Sequence, residues 1–354
     1  MTRAPRYVAL IALIALALVA CGRIGGTTFN AKPADIYSAM PSMADARSVL
    51  GDSNWWASPP SFEVSPLDSA TTPLNERFSV SQYYLHIGTA EQLVVRYTVY
   101  DKASSATTVM KNLANALGPS PSNPKVGDQV LYYGAQGTSS AAPIATRTFV
   151  RVGQILVALN WTRKDSLPTV QQLGKIASKF VSGLKNVGKS HDALHPVDAK
   201  LLPPPNLQIT ALGSAQLPVE SLVVLFLAAI PDQVVALLRQ LGVTTFAYGD
   251  YALNNDTHME VQTALLSFSS SSDATSWAST FSQGTPDSNG IASAYIPIGG
   301  TPAAGVYHYV FSSGSYGALI VCRASIDGEA ATRECEDPMG STALAWKLAL
   351  GGLR

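Results

Sequence analysis

At 354 residues, the chain is long enough for two domains with separate cores. Its 24 basic and 24 acidic side chains give a formal net charge of zero, which excludes the basic field that attracts nucleic acid. Charged residues make up only 14% of the chain, against about a quarter in typical globular domains. Neutral polar side chains must therefore supply much of the surface.

The N-terminal segment has the parts of a secretory signal. Arg3 and Arg6 form a basic start, and an apolar run follows from Tyr7 to Ala20. This run is too short for a comfortable membrane span, and it ends on small residues, as signal peptides do. The segment predicts export from the cytoplasm.

Leu18-Val19-Ala20-Cys21 resembles the lipobox of bacterial lipoproteins. In that family the cysteine is acylated, for example with palmitate, and becomes the mature N-terminus. The resemblance implies that residues 1–20 are a lipoprotein signal peptide and that Cys21 anchors the chain to the cell membrane, facing outside the cytoplasm. The alternative is an ordinary secretory peptide that ends beside a cysteine.

Two further cysteines remain after Cys21, namely Cys322 and Cys335. Export places them in an oxidising compartment, where two leftover cysteines usually bond to each other. A two-cysteine redox site would need a C-x-x-C spacing, which is absent. We therefore predict a structural disulfide.

The elements after the signal alternate between helix and strand. Helical spacing is predicted over Ala34–Leu50, and the proline-rich residues 57–76 are predicted to be loop and irregular edge. Further helices are predicted at Ser104–Leu117 and after Pro168. The predicted strands are Tyr83–Ile87, Leu93–Tyr100, Gln129–Tyr133, Arg147–Val152 and Ile155–Trp161.

The second half of the chain repeats the first. The segment SSATTVM from Ser104 matches SDATSWA from Ser272, and IASKFVSG from Ile176 matches LAWKLALG from Leu344, in both cases 168 positions later. The latter match aligns Lys179 with Lys347. Segment 40–51 also resembles segment 230–242, with one residue inserted. Fixed-period similarity predicts a tandem duplication.

Each repeat runs helix, strands, helix, strands, helix, and the hairpin-length connections favour an antiparallel sheet with packed helices. The predicted fold class is α+β, with two tandem repeats. After the signal peptide we predict a flexible tether over 21–33, module one over 34–187, a proline-rich linker over 188–206 and module two over 207–354.

This element order resembles the PsbP/Mog1-like α/β sandwiches found in some bacterial lipoproteins and in extracellular sensor domains of bacterial kinases. The resemblance covers the order of elements in both halves and includes no diagnostic motif, so it assigns no functional residue. The apolar run from Ser221 to Ile230 is ended by Pro231-Asp232, and at this length it predicts core rather than a second membrane span.

The motifs G-x-S-x-G, H-E-x-x-H and G-x-G-x-x-G are missing. Residues 183–190 (GLKNVGKS) match G-x-x-x-x-G-K-[ST], but they lie at the end of a predicted helix and in the predicted linker, without the strand that precedes a phosphate loop. His191 and His195 have a ligand-like spacing but lie in the predicted linker without a third ligand. The oxygen-rich stretch of Asp250, Asn254, Asn255 and Asp256 lacks EF-hand spacing, so a turn is favoured. We predict no enzyme, no cofactor and no metal.

The pair Trp55 and Trp56 follows the predicted helix end at Gly51. Exposed, the two rings would form a ligand surface, because aromatic rings give a large contact area at low entropic cost. The alternative is that a tryptophan closes the edge of the module-one core, since tryptophan is highly buried on average.

The leading hypothesis is a membrane-anchored, extracytoplasmic, non-catalytic binding or sensing module, with a ligand cleft between the two modules. Its partners would be the membrane, through the lipid, and a small molecule or an envelope protein. One alternative is a protein–protein scaffold in an envelope assembly. The other is an enzyme whose dispersed site the sequence does not reveal.

Overall fold

The structure is a computed structural model of the 354-residue chain. It describes residues 31–64, 75–89, 91–135, 144–163, 167–187, 197–225, 230–253, 256–297, 305–324 and 335–353. The signal peptide, Cys21, residues 21–30 of the predicted tether and residues 188–196 of the predicted linker, including His191 and His195, lie outside these residues.

The first sheet is antiparallel throughout, with its strands in the order β1-β3-β4-β7-β6-β5, and β2 pairs with β3 beyond the end of β1. Because β1 and β2 are short, they share one edge position along the longer β3. The strands are β1 (Trp55–Ala57), β2 (Ser61–Val64), β3 (Glu76–His86), β4 (Gln92–Tyr100), β5 (Gln129–Ala135), β6 (Ile144–Val152) and β7 (Ile155–Arg163).

The second sheet has the same topology, in the order β8-β9-β10-β13-β12-β11 and again antiparallel. Its last five strands therefore correspond to β3–β7 of the first sheet. The strands are β8 (Ile209–Pro218), β9 (Thr245–Leu253), β10 (Asp256–Ser267), β11 (Ile291–Pro297), β12 (Gly305–Ser313) and β13 (Tyr316–Ala324).

The helices of the described residues cover the sheets. In the first repeat they are α1 (Pro33–Ala39), α2 (Met43–Leu50), α3 (Ala103–Leu117) and α4 (Val170–Val181); in the second they are α5 (Leu222–Leu225), α6 (Pro231–Gln240), α7 (Ser271–Phe281) and α8 (Glu336–Gly351). Short 3-10 turns lie at Ser182–Asn186, Ala199–Leu201 and Val219–Ser221.

Each sheet is covered on both faces. On one face of the first sheet, Met110 of α3 packs in a cluster with Leu156 of β7. Thr98 is the cross-strand partner of Leu156, so its neighbour Tyr97 points to the opposite face, where its hydroxyl donates to the Phe180 carbonyl of α4 at 2.8 Å. In the second sheet, Trp346 of α8 packs edge-on against Phe311.

The predicted fold class of two α+β repeats with antiparallel sheets is confirmed. The matched segments of the sequence occupy matched elements: Lys179 and Lys347 lie on the last helices, α4 and α8, while segments 40–51 and 230–242 contain α2 and α6. Duplication of one sequence module thus accounts for two sheets of the same topology.

The predicted single helix over Ala34–Leu50 is wrong, because Pro41 divides it into α1 and α2. Proline disfavours the helical conformation of the residue before it, and Met40 is extended, with ψ of 153°. The second helix restarts at Ser42, whose side chain accepts a hydrogen bond from the Asp45 backbone. Segment 57–76, predicted to be loop and irregular edge, contains the edge strand β2, because prolines are tolerated at a sheet edge.

The apolar stretch from Ser221 contributes Leu222, Val223 and Leu225 to the core, as predicted for its described part. Among the described residues, no helix is both long enough and apolar enough to cross a membrane.

The first module inserts strand β2 against the second sheet. Phe62 is fully buried, its ring centroid lies 6.4 Å from that of Tyr248 in β9, and β2 lies beside β8. The Phe62 backbone N–H donates to the Oδ2 of Asp250 at 2.6 Å, and the Tyr248 hydroxyl donates to the Pro60 carbonyl at 2.7 Å. Because β2 also pairs with β3, one strand belongs to both cores.

The contact between β2 and the second sheet, which we call the β2 junction, has buried polar groups with partners. Asp250 is fully buried on β9, and Ser61 donates to the Oε1 of Glu260 at 2.5 Å. Gln262 of β10 donates to the Tyr248 hydroxyl at 2.8 Å. Buried polar groups are costly without partners, so these bonds favour one seating of β2.

A glycine makes room for the junction. A Cβ atom added at Gly213, in the irregular part of β8, would overlap the ring of Phe62. Gly213→Ala should therefore lower the free energy of unfolding by about 1–3 kcal/mol, the usual cost of overpacking.

The matched control is Gly340→Ala in α8, where a Cβ meets Tyr309 only at an ordinary 3.9 Å. Alanine is the better helix former, so this change should raise the free energy of unfolding by up to about 1 kcal/mol. Denaturant unfolding of both variants measures the difference. Equal effects of the two substitutions would contradict the close packing at Gly213.

Cys322 of β13 and Cys335, which precedes α8, are joined by a disulfide over a separation of 13 residues, and both are fully buried. Replacing both cysteines by alanine should lower the free energy of unfolding by about 3 kcal/mol, because the open chain gains entropy when unfolded. Chemical denaturation measures the loss. An unchanged midpoint, or two alkylatable thiols in the denatured, unreduced wild type, would contradict the bond.

Candidate functional site

Trp55 and Trp56 do not form an exposed ligand surface. Both are buried, at 1% and 3% exposure, because β1 pairs with β3 and carries them into the module-one core. Trp55 packs edge-on against Trp161 at 6.3 Å between ring centroids, and the Arg47 guanidinium covers the ring of Trp56 at 4.5 Å. The possible ligand surface at Trp55 and Trp56 is therefore not formed, and the alternative, burial at the edge of the module-one core, describes both residues.

The expected cleft between the modules is filled along the β2 junction, where Phe62 is buried. Asp250, considered above as a calcium ligand, accepts the Phe62 N–H in this junction, while Asn254 and Asn255 lie outside the described residues. In the part of the chain that the structure describes, no group of three His, Cys, Asp or Glu side chains is placed to hold a metal ion.

An open groove of about 530 Å³ lies in the first module instead, between α4 and the segment that leads into β5. We call it the α4 groove. One wall is Pro124, Lys125 and Val126; the other is the outer face of α4 with Lys175, Ser178 and Lys179, and Val49 of α2 closes one side.

Local interactions set the width of the α4 groove. The Tyr132 hydroxyl donates to the Pro124 carbonyl at 2.6 Å, which ties the wall segment to strand β5. A Cβ atom at Gly174 of α4 would overlap the Pro124 ring, so glycine allows the wall to touch the helix. Thr169 caps α4 by accepting a hydrogen bond from the Gln172 backbone at 3.2 Å.

Lys179 at the rim pairs with Asp45 of α2, with 3.0 Å between Nζ and Oδ1. The hydrogen bond from Lys179, followed by that from Ser42, holds the pKa of the Asp45 carboxyl below its usual range. Asp45 therefore stays ionised and holds the Lys179 ammonium at the side of the groove that faces α2.

The second module has a smaller groove of about 260 Å³ between α8 and the segment before β11. It is lined by Gly340, Ser341 and Leu344 of α8, which do not align with the α4 residues that line the first groove. Lys347, the counterpart of Lys179, donates to the carbonyls of Asn289 at 2.7 Å and Gly290 at 3.1 Å. Burial lowers the pKa of Lys347, against the opposing effect of the Asp287 charge. The lysine thus fastens the wall of this groove to the helix.

Asp287, which lines the second groove, also serves the fold. It accepts hydrogen bonds from the backbone N–H groups of Ile291 at 2.9 Å and Asn289 at 2.8 Å. These hydrogen bonds lower the pKa of the Asp287 carboxyl, and the bond from Ile291 has the largest effect. The pKa shifts of Asp287 and Lys347 are therefore accounted for by the hydrogen bonds and burial that hold this loop.

Sequence reasoning missed the α4 groove. The one available signal was the alignment of Lys179 with Lys347, which identified equivalent positions but not their different partners. The role of Gly174 depends on a contact with Pro124, fifty positions earlier in the chain.

Comparisons with known proteins add little to this geometry. No protein-family model matches the chain, and no curated protein is significantly similar to it in sequence. Among solved structures, the chain is similar to the extracellular domain of PknH from Mycobacterium tuberculosis, at 12% identity and a TM-score of 0.31, over 42% of this chain and 94% of that one. A likeness at this level carries no functional argument.

The two matched lysines should differ in their effect on stability. Lys347→Met removes two charged hydrogen bonds to backbone carbonyls and should lower the free energy of unfolding by about 1.5 kcal/mol or more. Lys179→Met removes a half-exposed ion pair and should cost less than about 1 kcal/mol. Parallel denaturant unfolding is the measurement, and a larger loss for Lys179→Met would contradict the structural assignment.

Proposed function

We propose that this chain is an extracytoplasmic lipoprotein, anchored to the cell membrane through Cys21, that acts as a non-catalytic binding or sensing module. The lipobox-like Leu18-Val19-Ala20-Cys21 supports the anchor and the location. The buried Cys322–Cys335 disulfide is consistent with an oxidising compartment.

The α4 groove is the observation that carries the binding function. Its volume of about 530 Å³ lies in the range of small-molecule sites, and it combines apolar walls with polar and charged side chains.

The anchor is tested by Cys21→Ser. Because the lipid is proposed to be attached through the Cys21 thiol, which serine lacks, the variant should move from the membrane fraction to the soluble fraction, while the wild type stays with the membrane. Fractionation followed by immunoblotting gives the distribution, and Cys322→Ser/Cys335→Ser is the control that leaves the anchor intact. Unchanged membrane retention of Cys21→Ser would contradict the lipoprotein assignment.

The binding function is tested by a thermal-shift screen of the detergent-solubilised full chain against sugars, peptidoglycan fragments, lipids, metals and amino acids. A ligand at about a hundred times its dissociation constant should stabilise the fold by roughly 2.7 kcal/mol, which gives a clear shift in Tm. A screen without any hit would contradict a small-molecule function and favour the scaffold alternative, for which capture of envelope proteins is the next experiment.

A further inference from the structure

We infer that the α4 groove binds an organic phosphate, with the phosphate group held between Lys125 and Lys175. This inference rests on the proposed binding function and specifies the ligand class of that site. The two side chains face the groove from opposite walls, one from the segment before β5 and the other from α4.

The charge of the groove is unbalanced. Three lysines line it, and no carboxylate is among the lining residues. Asp45 offsets Lys179, whereas neither Lys125 nor Lys175 forms an ion pair with any residue in the described ranges. Lys175 and Lys179 are also four apart on one helix, a spacing at which like charges repel. An anion in the groove would relieve this repulsion.

In the second module, the lysine on the last helix is bound by groups of the fold itself. There the lysine on the helix, Lys347, is consumed by the carbonyls of Asn289 and Gly290, and Asp287 supplies a negative charge. The α4 groove, in contrast, retains two cationic side chains for an external partner, because Lys125 and Lys175 have no ion-pair partner in the described ranges.

The remaining lining residues fit an ester rather than a bare phosphate ion. Ser178 of α4 adds a hydroxyl donor beside the lysines, and Val49, Pro124 and Val126 provide apolar surface next to them. Lysine ammonium groups are common phosphate binders and act as point charges, so they do not restrict the structure of the organic part of the phosphate ester. That part would lie against the apolar surface.

The organic phosphate has two sources, a soluble ester and the headgroup of a phospholipid, and the test separates them. The full chain in dodecyl maltoside is titrated at low ionic strength with sn-glycerol 3-phosphate. In parallel, it is placed in micelles doped with phosphatidylglycerol or with phosphatidylcholine. Thermal shift and tryptophan fluorescence are recorded for the wild type, for Lys125→Gln/Lys175→Gln, and for the control Lys111→Gln/Lys200→Gln, whose lysines are exposed and lie outside the groove.

We expect stabilisation of the wild type by at least one phosphate source, an apparent Kd raised at least about tenfold in Lys125→Gln/Lys175→Gln, and an unchanged Kd in the control. A response to glycerol 3-phosphate identifies a soluble ester, and a response confined to phosphatidylglycerol micelles identifies a lipid headgroup. No response from either source, or equal loss in both double variants, would overturn the inference. The inference would also be overturned if a non-phosphate ligand bound the wild type and Lys125→Gln/Lys175→Gln with equal affinity. That result would leave the proposed binding function in place.

Discussion

The structure depends on the seating of one short strand. β2 completes the edge of the first sheet by pairing with β3, and the same strand buries Phe62 against the second sheet. Burial of a phenylalanine stabilises a fold by about 1.5–3 kcal/mol, and the fixed acceptor at Asp250 Oδ2 determines where the strand lies. The duplicated modules therefore share a core residue, although their sheets do not merge.

The junction occupies space between the two modules, and the candidate site lies elsewhere, within the first module. Duplication is expected to leave a cleft between two copies, but here the first copy fills the junction with β2. The α4 groove lies at the outer face of α4, within the first module. The two aligned lysines also differ in their partners, since Lys179 pairs with Asp45 and Lys347 binds two backbone carbonyls.

Sequence periodicity predicted the repeat and most of the helix–strand order, because both follow from local pattern. The second module departs from the predicted order, since strand β8 precedes its first helix. The matched lysines did fall on equivalent helices. The junction could not be predicted, since Phe62 and Asp250 are 188 residues apart and no local pattern marks their contact. The exposure of Trp55 and Trp56 was ambiguous for the same reason, because the strand that buries them forms only by pairing with β3. Pro41, by contrast, is a local signal that ends a helix. The helical spacing of the apolar residues on both sides of it nevertheless led to the prediction of one continuous helix.

Cooperativity of unfolding tests the shared core most directly. Differential scanning calorimetry of the full chain and of Phe62→Ala would compare the calorimetric with the van't Hoff enthalpy. If β2 couples the modules, the wild type unfolds in one transition with equal enthalpies. The variant then loses about 3–5 kcal/mol of stability and separates into two transitions. Two independent transitions in the wild type would contradict the shared core.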